Sequence, residues 1–155
     1  MKNNRKMKIC LAASAGGHLT QLLKLAQSWH EYEVFFITTC NEVKNKLEKK
    51  ANVYVVGESN RQHPLKIIKT IIFCMKIIIN EKPNVIISTG AAVGCIACLL
   101  GKLSGAKVIW VDSITNIERL SLSGRLVRPV ANLFIAQWQQ LAQRYTNVIF
   151  EGTLI

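Results

Sequence analysis

Acidic side chains are scarce in this chain: nine Asp and Glu stand against 20 Lys and Arg in 155 residues, for a formal net charge of +11. A surface so positive seeks anions, and nucleic acid, anionic lipid head groups and phosphorylated substrates all fit that description. Other absences narrow the field. There is no G-x-G-x-x-G, and the second predicted strand ends Thr38-Thr39-Cys40-Asn41 without an acid to hold a ribose, Glu42 being the only carboxylate nearby. A dinucleotide enzyme is thereby disfavoured. No G-x-x-x-x-G-K-[ST] loop is present, which weighs against an ATPase. Cys95 and Cys98 form a lone C-x-x-C with no second Cys pair or neighbouring His to complete a zinc site. Packing on a helix face is expected there, and neither metal nor cofactor is expected. The five cysteines mostly sit inside apolar patterns, which suits free thiols in a reducing cytoplasm.

A secretory signal is also missing. The basic stretch Met1 to Lys8 precedes only Ile9 to Ala13, shorter than the roughly 7 to 15 apolar residues of a signal core, and a glycine turn follows directly. Neither an internal repeat nor a linker interrupts the chain, so a single domain over residues 1–155 is expected.

What is present centres on Ser14-Ala15-Gly16-Gly17-His18, between an apolar run and the helical pattern Leu19 to Trp29. A strand that breaks at paired glycines and enters a helix is an anion-binding arrangement, because the backbone can approach a ligand and the helix's first N–H groups point at it. Phosphate or diphosphate is the natural guest. His18 stands at the mouth of the turn, where an imidazole could donate to a phosphate oxygen or accept a proton. The alternative is a tight turn with His18 as a polar helix start.

Strands and helices alternate along the rest. Strands are predicted at Lys8 to Ala13, Val34 to Thr38, Val53 to Val56, Val85 to Ser88, Lys107 to Val111, Leu133 to Ala136 and Val148 to Phe150. Helices are predicted from Leu19, from Asn41 to Lys50 with Asn41 as cap, from Pro64 to about Asn80, after a turn at Thr89 to Gly94 as far as Leu103, and from about Gly124 to Val130; Glu58 to His63 reads as a loop. Apolar strands separated by helices imply an α/β fold, a doubly wound parallel sheet of Rossmann-like type. Ligands bind such sheets at the carboxyl ends of the strands, where strand order reverses. A second glycine turn, Thr89-Gly90-Ala91-Ala92-Val93-Gly94, follows the fourth strand and would share that edge.

On a wheel of ~100° per residue, Lys66, Lys69, Thr70, Lys76 and Asn80 of the long helix fall on one stripe, with Phe73 and Ile77 among them. Ile67, Ile68, Ile71, Met75, Ile78 and Ile79 face the other way and are expected in the core. Apolar side chains framed by lysines suit an anionic membrane surface, a partner surface or ordinary exposed residues being the alternative. The helix itself is short of the ~20 residues a span requires.

Gly16-Gly17-His18, Thr89-Gly90-Ala91-Ala92-Val93-Gly94 and above all Asp112-Ser113-Ile114-Thr115-Asn116-Ile117-Glu118-Arg119-Leu120-Ser121-Leu122-Ser123-Gly124 with Gln137-Trp138 carry a resemblance. The chain resembles the acceptor-side subunit of two-component glycosyltransferases: the PssD-type bacterial polysaccharide proteins and the membrane subunit of the eukaryotic N-glycan UDP-GlcNAc transferase. The glycine turns are shared more loosely with the N-terminal half of MurG. The resemblance implies the N-terminal half of a GT-B enzyme, which receives a lipid-diphosphate-linked acceptor at the membrane. A separate catalytic subunit would bind the UDP-sugar, so this chain alone would be inactive. It would lie in the cytoplasm, peripheral on the inner face of the cell membrane, and serve surface polysaccharide biosynthesis, with no nucleic acid partner.

Departures from the family pattern are Asp112-Ser113 for a usual Glu-Ser, Asn116 for an Arg, and Gln139 for the Pro after Gln-Trp. Arg119 is the candidate to replace the missing Arg. His18 and Asp112 are the candidate bases for attack by the acceptor hydroxyl, Asp112 being a loop-capping carboxylate in the alternative reading. Ser14, Gly16, Gly17, Thr89, Gly90, Ser113 and Asn116 are the candidate acceptor and phosphate ligands, and Glu118 is assigned to structure or interface. Trp138, Leu154 and Ile155 are the candidate partner contacts. The rival functions are a nucleotide-binding oxidoreductase-like domain and a scaffold that only recruits its partner to the membrane.

Overall fold

The computed structural model describes residues 6–48, 51–58 and 64–154. In chain order the elements are β1 (Lys8–Ala12), α1 (Gly17–Ala26) tightening into a 3-10 turn (Gln27–Trp29), β2 (Glu33–Thr38), α2 (Asn41–Leu47), β3 (Asn52–Val55), α3 (Pro64–Glu81), β4 (Val85–Ser88), α4 (Ala91–Leu103), β5 (Lys107–Val111), α5 (Leu122–Val127), β6 (Leu133–Ala136), α6 (Gln139–Arg144) and β7 (Ile149–Phe150). The strands form one sheet in the order β3-β2-β1-β4-β5-β6-β7, and every neighbouring pair is parallel. The doubly wound α/β architecture expected from the alternation is therefore present. Strand order reverses between β1 and β4.

Side chains alternate across the sheet with the period of two that a pleat imposes. Cys10, Ala12, Phe35, Ile37, Ile86, Val108, Trp110 and Phe134 enter a core closed by residues of α3, α4 and α5, including Cys74, Ile78, Cys98 and Val127. Ile9, Leu11, Phe36 and Ile87 enter the opposite core under Leu19 and Leu22 of α1. Cys95 and Cys98 are buried in the first core as free thiols, and desolvation pushes Cys95 up to about 11 and Cys98 further. Among the described residues no cluster of His, Cys, Asp and Glu could hold a metal ion.

Several local expectations need correction. Helix α2 starts at Asn41, but Cys40 is its N-cap and no side chain caps it. The predicted end of that helix at Lys50 and the loop residues 59–63 lie outside the described residues. Helix α5 begins two residues earlier than expected because Ser121 caps it, accepting from Gly124 N. Helix α6 lies in a stretch for which no element was expected.

The largest correction concerns α3. Lys66, Lys69, Phe73 and Lys76 are exposed as expected, with Lys69 Nζ 6.0 Å from the Phe73 ring. Thr70, however, lies on the buried face with Cys74 and Ile78. Its hydroxyl donates to Lys66 O at 3.0 Å, so it enters the core without an unsatisfied donor. Ile77 is half-buried against the same core rather than standing free among the lysines. Ile68, Met75 and Ile79, expected inside, are exposed, and with Leu65 and Ile72 they form a continuous outer stripe at three-and-four spacing. No helix among the described residues is long and apolar enough to cross a membrane.

At the amino ends of the strands, Lys8 Nζ lies 2.8 Å from Glu33 Oε1 and 2.8 Å from Glu81 Oε2. The Tyr54 hydroxyl donates to the other oxygen of Glu81. This cluster ties β1, β2, β3 and the last turn of α3 together, on the edge opposite the glycine turns.

Candidate functional site

Strand order places the carboxyl ends of β1, β4 and β5 side by side, and each continues into a loop carrying candidate residues. The first is the glycine turn. Gly16 adopts φ +96, a left-handed conformation suited to glycine, and its carbonyl accepts from Thr20 N and Thr20 Oγ1 as α1 begins. Ala15 N donates to Thr39 Oγ1 at 3.1 Å, which moors the turn to the end of β2, and Ser14 is half-buried beside it. A Cβ built on Gly17 meets nothing within 4 Å. The chain's own packing therefore does not demand glycine at that position, and the space above the first helical N–H groups is open.

The second loop seats His18. Its Nδ1 lies 2.9 Å from Thr89 O, and a carbonyl can only accept, so Nδ1 carries the proton and Nε2 is the acceptor of the neutral ring. Thr89, itself fully buried, returns a bond from its hydroxyl to His18 O at 2.6 Å. Gly90 sits at φ +138, and a Cβ there would fall 2.5 Å from both Cε1 and Nδ1 of His18. Thus Thr89 and Gly90 hold and shape the seat of the imidazole.

The third loop, residues 112–121, is organised around Asp112, which is 1% exposed. Its Oδ1 accepts from Trp110 Nε1 at 3.0 Å and Ser121 Oγ at 2.6 Å, and its Oδ2 from Ser121 N at 3.0 Å and Asn116 Nδ2 at 3.2 Å. A Cβ on Gly124 would press within 2.7 Å of Asp112 Oδ1, so the Leu-Ser-Leu-Ser-Gly motif supplies a buried leucine, a cap that also serves the carboxylate, and the space to hold it. The carboxylate is committed to the chain's own donors. The expectation of Asp112 as base gives way to an anchor for the loop, because both oxygens are occupied and shielded from solvent. Asn116 spends its amide on this anchor, and the hydroxyl of buried Ser113 lies 3.0 Å from Thr115 Oγ1.

From outside, Trp138 Nε1 donates to Ile114 O at 2.7 Å and Arg144 to Glu118 O at 3.0 Å, gripping the loop by its carbonyls. Exposed Arg119 and half-buried Asn116 line a shallow groove on its outer side. Trp138, expected at a partner surface, is half-buried with its indole N–H used within the chain. Leu154 is half-buried, its N–H donating to Gln137 Oε1 at 2.8 Å, and Ile155 lies outside the described residues. The roles of Gln137, Ser121 and Gly124 were not anticipated. A signal for the last two exists, since Trp110 and Asp112 are two apart at a strand end and Ser-x-x-Gly is a capping spacing.

Comparison with known proteins bears on this geometry. The UDP-N-acetylglucosamine transferase subunit ALG14 of Yarrowia lipolytica is 25% identical over 175 residues, covering 96% of this chain and 81% of that protein. The mouse (Mus musculus) subunit of the same name is 25% identical over 181 residues, covering 96% and 83%. Among solved structures, Acinetobacter baumannii MurG superposes with a TM-score of 0.75 at 17% identity, covering 93% of this chain and 45% of that one. The UDP-GlcNAc 2-epimerase of Neisseria meningitidis bound to UDP-GlcNAc gives 0.72 at 12% identity, covering 96% and 47%. At those identities the likeness is one of fold, and the chain spans less than half of either structure. The architecture shared with these structures is the parallel, Rossmann-like α/β fold. The family described as oligosaccharide biosynthesis protein Alg14 like matches residues 9–154, and the chain belongs to that family.

Proposed function

We propose that this chain is the acceptor-binding, membrane-recruiting subunit of a two-chain glycosyltransferase, which transfers a sugar from a UDP-sugar to a lipid-diphosphate-linked acceptor in surface polysaccharide assembly. The observation that carries this reading is the seat of His18. A ring whose Nδ1 proton is fixed on Thr89 O presents Nε2 as a base, beside a glycine turn open at the N-terminus of α1. The acceptor diphosphate occupies the turn, contacting the backbone of Gly16 and Gly17 with Ser14 nearby. The acceptor hydroxyl then attacks the anomeric carbon with inversion: the new C–O bond forms as the bond to UDP breaks, the hydroxyl proton passes to Nε2, and UDP leaves with its electron pair. Asp112 keeps the neighbouring loop, with Ser113 and Asn116, in one shape. The UDP-sugar is bound by a separate catalytic subunit, UDP-GlcNAc being the first donor to try since the relatives are named for it. That subunit contacts the C-terminal segment, including Leu154 and Ile155, with Trp138 behind it.

Recruitment falls to α3. Its outer face carries Leu65, Ile68, Ile72, Met75 and Ile79 beside Lys66, Lys69, Phe73 and Lys76, with no acid until Glu81. A second copy of the chain would set lysine against lysine, whereas an anionic bilayer satisfies both halves of the face. On this reading the protein works on the cytoplasmic side, peripheral to the inner face of the cell membrane.

The test uses the chain co-purified with its donor-binding subunit, UDP-GlcNAc and a lipid-diphosphate acceptor. His18→Ala should lower transfer by about 10²–10⁴, the usual share of a general base. Gly17→Val should abolish it while leaving fold and complex intact, because a Cβ at that position meets open space. Normal turnover by both variants would refute the site, and transfer by this chain alone would refute the two-chain reading.

A further inference from the structure

Gln137, the residue after β6, is 1% exposed and makes three hydrogen bonds with its side chain. Nε2 donates to Asp112 O at 2.9 Å and to Gln21 Oε1 at 3.1 Å, and Oε1 accepts from Leu154 N at 2.8 Å. Chemistry fixes the amide's orientation, because the Asp112 carbonyl can only accept and the Leu154 N–H can only donate. One buried side chain therefore joins the C-terminal tail, the root of the 112–121 loop, and α1. Gln21 lies one helical turn beyond His18, on the same side of α1.

We propose that Gln137 is a positioning residue which passes the placement of the C-terminal tail to the imidazole of His18. With the tail seated, the Leu154 N–H holds Oε1 and so aims Nε2 at Gln21 and at the base of the loop. With the tail displaced, the amide is held through Nε2 alone, and its tether to α1 one turn from His18 is loosened. Whatever holds the tail in place thereby also holds the proton acceptor. This rests on the proposed roles of His18 and the tail, and it makes subunit assembly and readiness of the acceptor side a single event.

The test needs only the full chain. Leu154→Pro removes the N–H, while Leu154→Ala keeps it and removes the side chain; Gln21→Leu cuts the α1 link alone, and Gln137→Leu cuts all three. Hydrogen exchange of the α1 amides and the ring ¹⁵N shifts of His18, which report its tautomer, are recorded by NMR. Leu154→Pro, Gln21→Leu and Gln137→Leu should each speed exchange in α1 about tenfold, as loss of one hydrogen bond implies, and should move His18 from the Nδ1–H form toward a tautomer mixture. Leu154→Ala should do neither, and α3 should exchange as before in all of them. Equal behaviour of Leu154→Pro and Leu154→Ala, or an unmoved His18 ring in Gln21→Leu, overturns the proposal. Should Gln137→Leu fail to fold, the other two cuts still decide. In the two-chain enzyme, Gln21→Leu should lower kcat with the donor KM unchanged. A responsive ring together with a fully active His18→Ala would sink the catalytic role of His18 and leave the coupling; an inert ring together with an inactive His18→Ala would do the reverse.

Discussion

Replacing Asp112 by Asn separates an anchoring carboxylate from a catalytic one. The change keeps shape but turns one acceptor oxygen into a donor. The less costly arrangement leaves oxygen at the Oδ1 position, since the Trp110 indole N–H and the Ser121 hydroxyl both point there. The new NH₂ then faces Ser121 N and Asn116 Nδ2. Asn116 can flip its amide and accept; the backbone N–H of Ser121 cannot, and it is left without a partner. One unsatisfied donor together with the loss of charge assistance costs about 2 kcal/mol. Asp112→Ala strands all four donors and should cost about 4 kcal/mol, in the range of a broken buried network. For a domain of this size about 2 kcal/mol corresponds to a melting temperature lower by roughly 4–8 °C. Thermal melts followed by circular dichroism give the first readout, and transfer at a temperature where the variant remains folded gives the second. An anchor predicts a destabilised Asp112→Asn that retains measurable transfer. Unchanged melting with abolished transfer would refute this reasoning and return Asp112 to the list of bases.

Two other predictions concern opposite surfaces. Lys66, Lys69 and Lys76 changed together to Gln should release the protein from anionic vesicles, each lysine contributing about 1 kcal/mol near the surface, and Ile72→Asp should do the same through the apolar stripe. Flotation that survives both changes would remove the membrane claim. At the amino edge, burial pushes the Glu81 carboxyl up, but hydrogen bonds from Lys8 and Tyr54 outweigh it and hold the group below its ordinary value. Its contribution is therefore complete above that ordinary value and is lost as pH falls through the folded pKa. Bonds to Glu33 and Glu81 hold Lys8 above its own ordinary value, so the lysine's share persists at neutral pH and fades only in strong alkali. Glu81→Gln should cost about 1 kcal/mol near pH 7, and in urea titrations the gap should shrink as pH falls below the ordinary glutamate value and through the folded pKa. A gap that stays constant with pH would show that the pair contributes through packing alone.

Much of this was legible in the sequence, and the limits have physical causes. The strands read within a residue because each is a short apolar run stopped by glycine, proline or polar residues, and a parallel sheet buried on both faces writes itself that way. The meeting of the two glycine turns followed from topology once strand order was assumed. Helix α6 was missed because Gln139 to Arg144 buries only Leu141, with Ala142 partly buried beside it, too little for a period to show. The outer face of α3 was misassigned because the helix is apolar around more than half its girth. Periodicity cannot say which apolar arc turns inward; Thr70 could go in only because its hydroxyl is satisfied within the helix. Asp112 looked like a base because a sequence displays a carboxylate without displaying its donors. Gln137 stood out by resemblance, yet its three partners lie 116, 25 and 17 residues away, beyond any local pattern.

The fit between Gly90 and His18 carries a consequence for how relatives of this chain can diverge. The imidazole occupies the volume a side chain at position 90 would need, so no larger residue can arise there while the ring remains. Losing the ring would not release the position either, because φ +138 by itself excludes ordinary residues. Position 90 is therefore closed to larger residues twice over, once by the ring and once by the backbone path between β4 and α4, whatever becomes of position 18.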